Sequence, residues 1–130
     1  MSKSNGEIYK LRPEFKKLHK ELYKKEYFIH SFIYWEEKDS DYNGIMLTTS
    51  SDPRFKNILL PKGSFDERFE FRYGKSESKP CSYIAPYYLV KKVNYDHFEM
   101  KGKLANIGMD FISSIIPSLA CTTWDDVIKK

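Results

Sequence analysis

The chain has 130 residues, 41% of them hydrophobic and 31% charged, with a net charge of +4. That length and balance describe one globular domain able to bury a core of its own, and exclude a disordered or low-complexity chain. Cys81 and Cys121 are the only cysteines, too few and too far apart for a disulfide framework or a zinc site, and no apolar run reaches the roughly twenty residues that cross a bilayer.

The charge is uneven. Residues 1 to 25 carry eight Lys or Arg against Glu7, Glu14 and Glu21, whereas residues 26 to 130 carry 14 against 15. A basic amino-terminal segment attracts polyanions such as RNA, or an acidic protein partner, although a solvated helix face has the same composition. Free thiols and the lack of a leader or a membrane span lead to the expectation of a cytoplasmic protein.

In chain order, Glu7 to Leu11 alternates polar and apolar residues, as a half-buried strand does. Pro13 suits a first helical turn, and Phe15, Leu18 and Leu22 fall at helical spacing between Lys16, Lys17, Lys20 and Lys24. The spacing predicts a basic amphipathic helix from about Glu14 to Lys25. Tyr27 to Trp35 is rich in β-branched and aromatic residues, Asp39 to Gly44 is rich in turn formers, and Ile45 to Thr48 is apolar again, which predicts a hairpin. A polar loop from Thr49 to Pro53 follows, then a short strand from Asn57 to Leu60 ended by Pro61 and Gly63.

Phe69, Phe71 and Tyr73 alternate with charged residues and predict a further strand within 65 to 73. Gly74 to Pro80 reads as a loop, and Cys81 to Val93 as a strand that Pro86 bulges or breaks. Ile107, Phe111, Ile112 and Ile115 form a helical stripe ended by Pro117. Asp125 and Asp126 fit the first turn of a short last helix beginning at Thr123. Close-set strands with short turns favour an antiparallel barrel or sandwich.

Three short motifs recur in a recognisable order: Gly6-Glu7-Ile8-Tyr9 at the opening strand, Thr49-Ser50 after an apolar strand, and Leu89-Val90-Lys91-Lys92-Val93 through His97-Phe98 to a Gly102-Lys103-Leu104 turn before the terminal helix. In this order the chain resembles the PemK/MazF toxins. The resemblance implies a mainly β fold, an SH3-like β-barrel with a carboxy-terminal helix; the basic amino-terminal helix read from the residues stands where the family has a loop. It further implies a cytoplasmic homodimer that cuts single-stranded RNA without metal or cofactor and is held inactive by an antitoxin protein. His30-Ser31 stands where the family has Arg-Pro, the arginine being one of its catalytic residues.

Metal-independent RNA cleavage needs a base for the 2′-hydroxyl proton, donors for the charge that grows on phosphorus, and an acid for the leaving 5′-oxygen. Histidine titrates near working pH, so His30 is the candidate base in place of the missing arginine. Thr49 and Ser50 are candidate donors to phosphate oxygens, and Thr48 competes with Thr49 because a one-residue slip reverses the face. Arg54, Lys56, Lys16 and Lys20 are candidate RNA-binding cations. Each has a plainer account: His30 as a strand histidine, the hydroxyls as turn formers bonding their own backbone, the cations as solvated charges. Tyr34, Trp35, Tyr83, Tyr87 and Tyr88 fit either base stacking or core filling. Glu36, Glu37, Asp39 and Asp41 lack the spacing of a calcium loop. His19 and His97 are not assigned to catalysis. With the arginine missing, a non-catalytic module on the same fold, binding nucleic acid or poisoning a protein target, is the alternative function.

Overall fold

The computed structural model describes residues 5–15, 17, 31–38, 41–91 and 97–123. Among the described residues, eight strands form one mainly antiparallel sheet, accompanied by a helix: β1 Glu7–Leu11, β2 Phe32–Lys38, β3 Asp41–Thr48, β4 Ile58–Leu59, β5 Tyr83–Ile84, β6 Tyr87–Lys91, β7 Phe98–Lys103, β8 Ala120–Thr123 and α1 Asn106–Ile115. The central order is β4-β5-β3-β2-β1-β7, and β6 joins β3 to β8. Among the described strands the β6–β8 pairing alone is parallel, with Tyr87 opposite Ala120 and Tyr88 opposite Cys121. Among the described strands no pairing closes the sheet on itself. The predicted basic helix from Glu14 to Lys25 falls almost wholly outside the described residues, which include a short 3-10 turn at Pro13–Phe15.

Register follows from apolar alternation. Ile8 pairs with Ile33, and Ile33 with Ile45, while Tyr9 pairs with Phe32, and Phe32 with Met46. Successive side chains of a strand point to opposite faces, so these two rows serve two apolar clusters. The larger contains Ile8, Ile33, Ile45, Leu47, Leu60, Phe65, Ile84, Leu104, Ile112 and Leu119. The other contains Tyr9, Leu11, Phe32, Tyr34 and Phe98, with Phe15 against it. Burying an isoleucine completely contributes about 1.5–3 kcal/mol, so a slip in register that turned one row to solvent would cost several times that.

The hairpin of β2 and β3 forms as the sequence predicts, but the strands run further. Asp41 to Gly44, read as turn residues, belong to β3. They are accommodated by a register shift between Tyr34 and Glu36, a bulge that absorbs an extra residue of β2. Pro86 breaks the Cys81–Val93 stretch into β5 and β6, as expected of a residue without an N–H.

The segment 65–73 is not a strand. Asp66 N–H donates to the Lys103 carbonyl at 2.8 Å and Phe71 N–H to that of Lys101 at 2.9 Å, so it runs beside the outer edge of β7 with intermittent bonds. Phe65 meets Phe71 edge-on at 5.0 Å and tilts against Tyr73 at 6.2 Å. The aromatic alternation therefore plugs the core and shields a sheet edge without building a ladder. Gly102 and Lys103, read as a turn, lie in β7 opposite Ile8 and Glu7.

Helix α1 begins and ends where its apolar stripe predicts, and its Ile112 is fully buried, but Ile107 is 53% exposed. Pro117 lies in a 3-10 turn, Ile116–Ser118, that leads into β8. Thr123, read as the start of a last helix, ends that strand, and residues 124–130 lie outside the described residues. No helix among the described residues is long and apolar enough to cross a membrane.

Candidate functional site

The polar loop after β3 is built by its own side chains. Thr48 Oγ1 accepts the Ser50 N–H at 3.1 Å, and Ser50 Oγ accepts the Asp52 N–H at 3.3 Å. Asp52 then caps a 3-10 turn, Pro53–Phe55, accepting the Arg54 N–H at 3.0 Å. Pro53 at the first position fixes φ where the turn needs it and has no donor to lose. Lys56 closes the turn in the left-handed region, φ 55°, with its N–H on the Pro53 carbonyl. Asn57 Nδ2 reaches back to the Ser50 carbonyl at 3.2 Å and ties the two ends together. The flanks are fixed in the sheet, Thr48 opposite Tyr83 and Ile58 opposite Ile84.

In this arrangement the Thr48 and Ser50 hydroxyls act as acceptors, so each keeps a proton to donate outward, and no protein acceptor for either proton occurs among the described residues. Thr49 is half-buried between them. The Arg54 guanidinium, at the surface, is paired to Asp52: Nε contacts both Asp52 oxygens at 3.1 and 3.0 Å, and Nη2 contacts Oδ2 at 2.6 Å. That side-chain bonding, with the Arg54 backbone N–H second, holds the Asp52 carboxyl below the ordinary carboxylate range and raises Arg54. The pair is locally neutral. Exposed Lys56 has no ion pair among the described residues and is the uncompensated cation of the loop.

Of the residues singled out in the sequence, Thr49, Ser50, Arg54 and Lys56 come together in this loop. His30, Lys16 and Lys20 lie outside the described residues. Ser31, next to His30, is buried, and its carbonyl accepts the Leu47 N–H at 2.8 Å. His97 stacks on Phe15 with centroids 4.1 Å apart. Tyr34 is buried, and Trp35 and Tyr88 pack against the larger cluster. Tyr88 also donates to Glu36 Oε1 at 2.7 Å, and burial followed by that bond raises its phenol. Glu36 thus serves a structural contact.

The residues missed in the sequence are Asp52, Phe55 and Asn57. Asp-Pro at the entry to a turn is a cap signature that was available; the reach of Asn57 back to Ser50 has no local sign. Two further features lie elsewhere. A cleft of about 550 Å³ at the start of α1 is lined by Phe65, Asp66, Arg68, Lys103 and Asn106. There Arg68 contacts both Asp66 oxygens, Nη2 at 2.6 Å, and with its backbone N–H lowers the Asp66 carboxyl to about 2. Asn43 is buried on β3, and its amide oxygen has no hydrogen-bond partner among the described residues. Among the described residues no group of three or more His, Cys, Asp or Glu is placed to hold a metal ion. Compared with known proteins, the chain matches no family model, no curated protein and no solved structure.

Proposed function

We propose that this chain is a PemK/MazF-like toxin component that cuts single-stranded RNA at the loop from Thr48 to Asn57. The observation that carries the reading is the pairing of the opening and closing motifs, far apart in sequence, on neighbouring strands. The Gly6 carbonyl accepts the Leu104 N–H at 2.9 Å and Ile8 lies opposite Gly102, while the strand that ends in Thr48 is two strands from β1. In this reading the sheet is an SH3-like barrel, the working form is a cytoplasmic homodimer, and an antitoxin protein keeps it inactive.

Within that function His30 takes the 2′-hydroxyl proton, the 2′-oxygen attacks phosphorus to form a 2′,3′-cyclic phosphate, and the bond from phosphorus to the 5′-oxygen breaks, that oxygen taking a proton from water. Thr49 and Ser50 donate hydrogen bonds to the charged phosphate oxygens. Of these two donors, the Ser50 hydroxyl is held in advance by the Asp52 N–H, the condition under which such donors assist. Lys56 neutralises phosphate charge, with Lys16 and Lys20 as further contacts along the strand.

Incubation of the purified protein with a long RNA in EDTA tests this. Fragments are expected, and Ser50→Ala lowers the cleavage rate by about 10²–10³-fold, the usual loss of one preorganised donor. His30→Ala lowers it by about 10²–10⁴-fold with RNA binding retained. Intact RNA under conditions where a toxin of this class cuts refutes the nuclease.

The pairing of Arg54 with Asp52, which neutralises one of the two cations of the loop, favours a second reading, a non-catalytic module that binds nucleic acid or a protein target. It is distinguished by RNA binding without cleavage, or by tight binding to a protein target with none to RNA.

A further inference from the structure

Four large apolar side chains among the described residues are well exposed: Phe55 at 47%, Leu59 at 52%, Met100 at 40% and Ile107 at 53%. Phe55 is the aromatic one, and it belongs to the loop described above. Its turn is fixed at the front by Asp52 and Pro53, at the back by the left-handed Lys56, and across its base by Asn57 on Ser50. A turn held at these points presents the ring half-exposed to water. The Arg54 guanidinium lies 5.8 Å from the ring centroid, within cation–π range, and three contacts to Asp52 hold it there. Lys56 follows directly, with no ion pair among the described residues, and the hydroxyls of Thr48 and Ser50 lie on the other limb of the loop.

We infer that Phe55 is a stacking platform for one unpaired base of the RNA, placed so that the neighbouring phosphate meets Lys56. This rests on the RNA reading of the same loop and adds how the strand is gripped. Every nucleobase has a π-face, so a grip of this kind orders the strand without reading its sequence, while unpaired bases are required for it. Double-stranded RNA, its bases stacked on each other, is excluded by the same contact.

The test uses a short 2′-O-methyl oligoribonucleotide, which cannot be cut by 2′-oxygen attack, carrying one 2-aminopurine. Binding is read by anisotropy and stacking by quenching of the 2-aminopurine. Phe55→Ala and Phe55→Leu each weaken binding by about 5- to 150-fold, the range of one lost base stack, and both reduce the quench. Phe55→Trp retains binding and quench. The slope of log affinity against log salt is unchanged in all three, whereas Lys56→Ala reduces it by about 0.7, one phosphate contact to a single strand.

If wild type binds and Phe55→Leu binds as tightly as Phe55→Trp, the contact is not stacking and the assignment falls while the RNA reading stands. If wild type does not bind the oligonucleotide at all, the RNA reading itself falls. Thermal midpoints of the three variants, expected within a few degrees of wild type for a half-exposed site, separate loss of contact from loss of fold.

Discussion

Gly44→Ala sets two effects of opposite sign against each other. Gly44 lies in the middle of β3, with neighbours on β2 and β6, opposite Tyr34 and Leu89, and its backbone is not in the left-handed region. On conformational entropy alone, alanine there stabilises by about 0.4–1 kcal/mol. A Cβ at this position, however, stands 2.2 Å from the Ile33 carbonyl oxygen and 3.2 Å from its carbon. Carbon and oxygen approach to about 3.3 Å at closest, so a central backbone segment must move by about 1 Å. Forcing extra volume into a packed site costs about 1–3 kcal/mol, and a backbone obstacle at the centre of a sheet belongs at the upper end. The net loss is about 2 kcal/mol. With an unfolding entropy of about 2.1 cal/mol/K per residue, that lowers Tm by about 7 °C. Gly63→Ala is the control, because its cost is a positive φ of +82° with, among the described residues, only the Ile107 Cδ1 nearby at 3.3 Å, worth about 1 kcal/mol. Thermal unfolding followed by circular dichroism reads both. A Gly44→Ala protein that melts at or above the wild-type temperature would show that the strands yield freely, and the steric argument would be wrong.

Tyr73→Phe removes a hydroxyl that donates to the carbonyl of fully buried Leu60 at 2.5 Å. The abandoned carbonyl costs about 1–2 kcal/mol, read as a lower midpoint in denaturant with an unchanged slope. The Asp66 carboxyl, lowered to about 2 chiefly by the Arg68 side chain, contributes stability that is fully present above its unfolded value of about 3.9. That contribution disappears as pH falls through about 2. Carboxyl carbon shifts followed from pH 6 to pH 1.5 are expected to show this late titration, and Arg68→Ala returns it to the ordinary range. A wild-type Asp66 that already titrates near 4 would remove the pair from consideration.

Local chemistry made much of the fold legible in the sequence. β1, the β2–β3 hairpin, the break at Pro86 and helix α1 follow from apolar period and proline placement. Failures arose where tertiary contact overrode the local pattern. Asp41 to Gly44 looks like a turn until the approach of the Ile33 carbonyl to Gly44 is known. Phe69, Phe71 and Tyr73 look like a strand because alternation does not distinguish a ladder from a segment lying along an edge. Ala120 to Thr123 is too short and too mixed to announce a strand, and its partner, β6, is some thirty residues away. At the loop, residue types pointed to the hydroxyls and cations, but the capture of Arg54 by Asp52 reverses what composition alone implies about that charge. Exposure of Phe55 is a property of the folded turn and has no counterpart in residue order.

β1 pairs with β7, Glu7 opposite Lys103 and Leu11 opposite Phe98. During translation at about 5–20 residues per second, the first strand therefore waits roughly 5 to 20 s for the partner that completes its outer side. Over that interval the nascent chain holds a half-finished sheet with Ile8 and Leu11 incompletely covered, a window in which a chaperone or a neighbouring ribosome product has the first opportunity to bind.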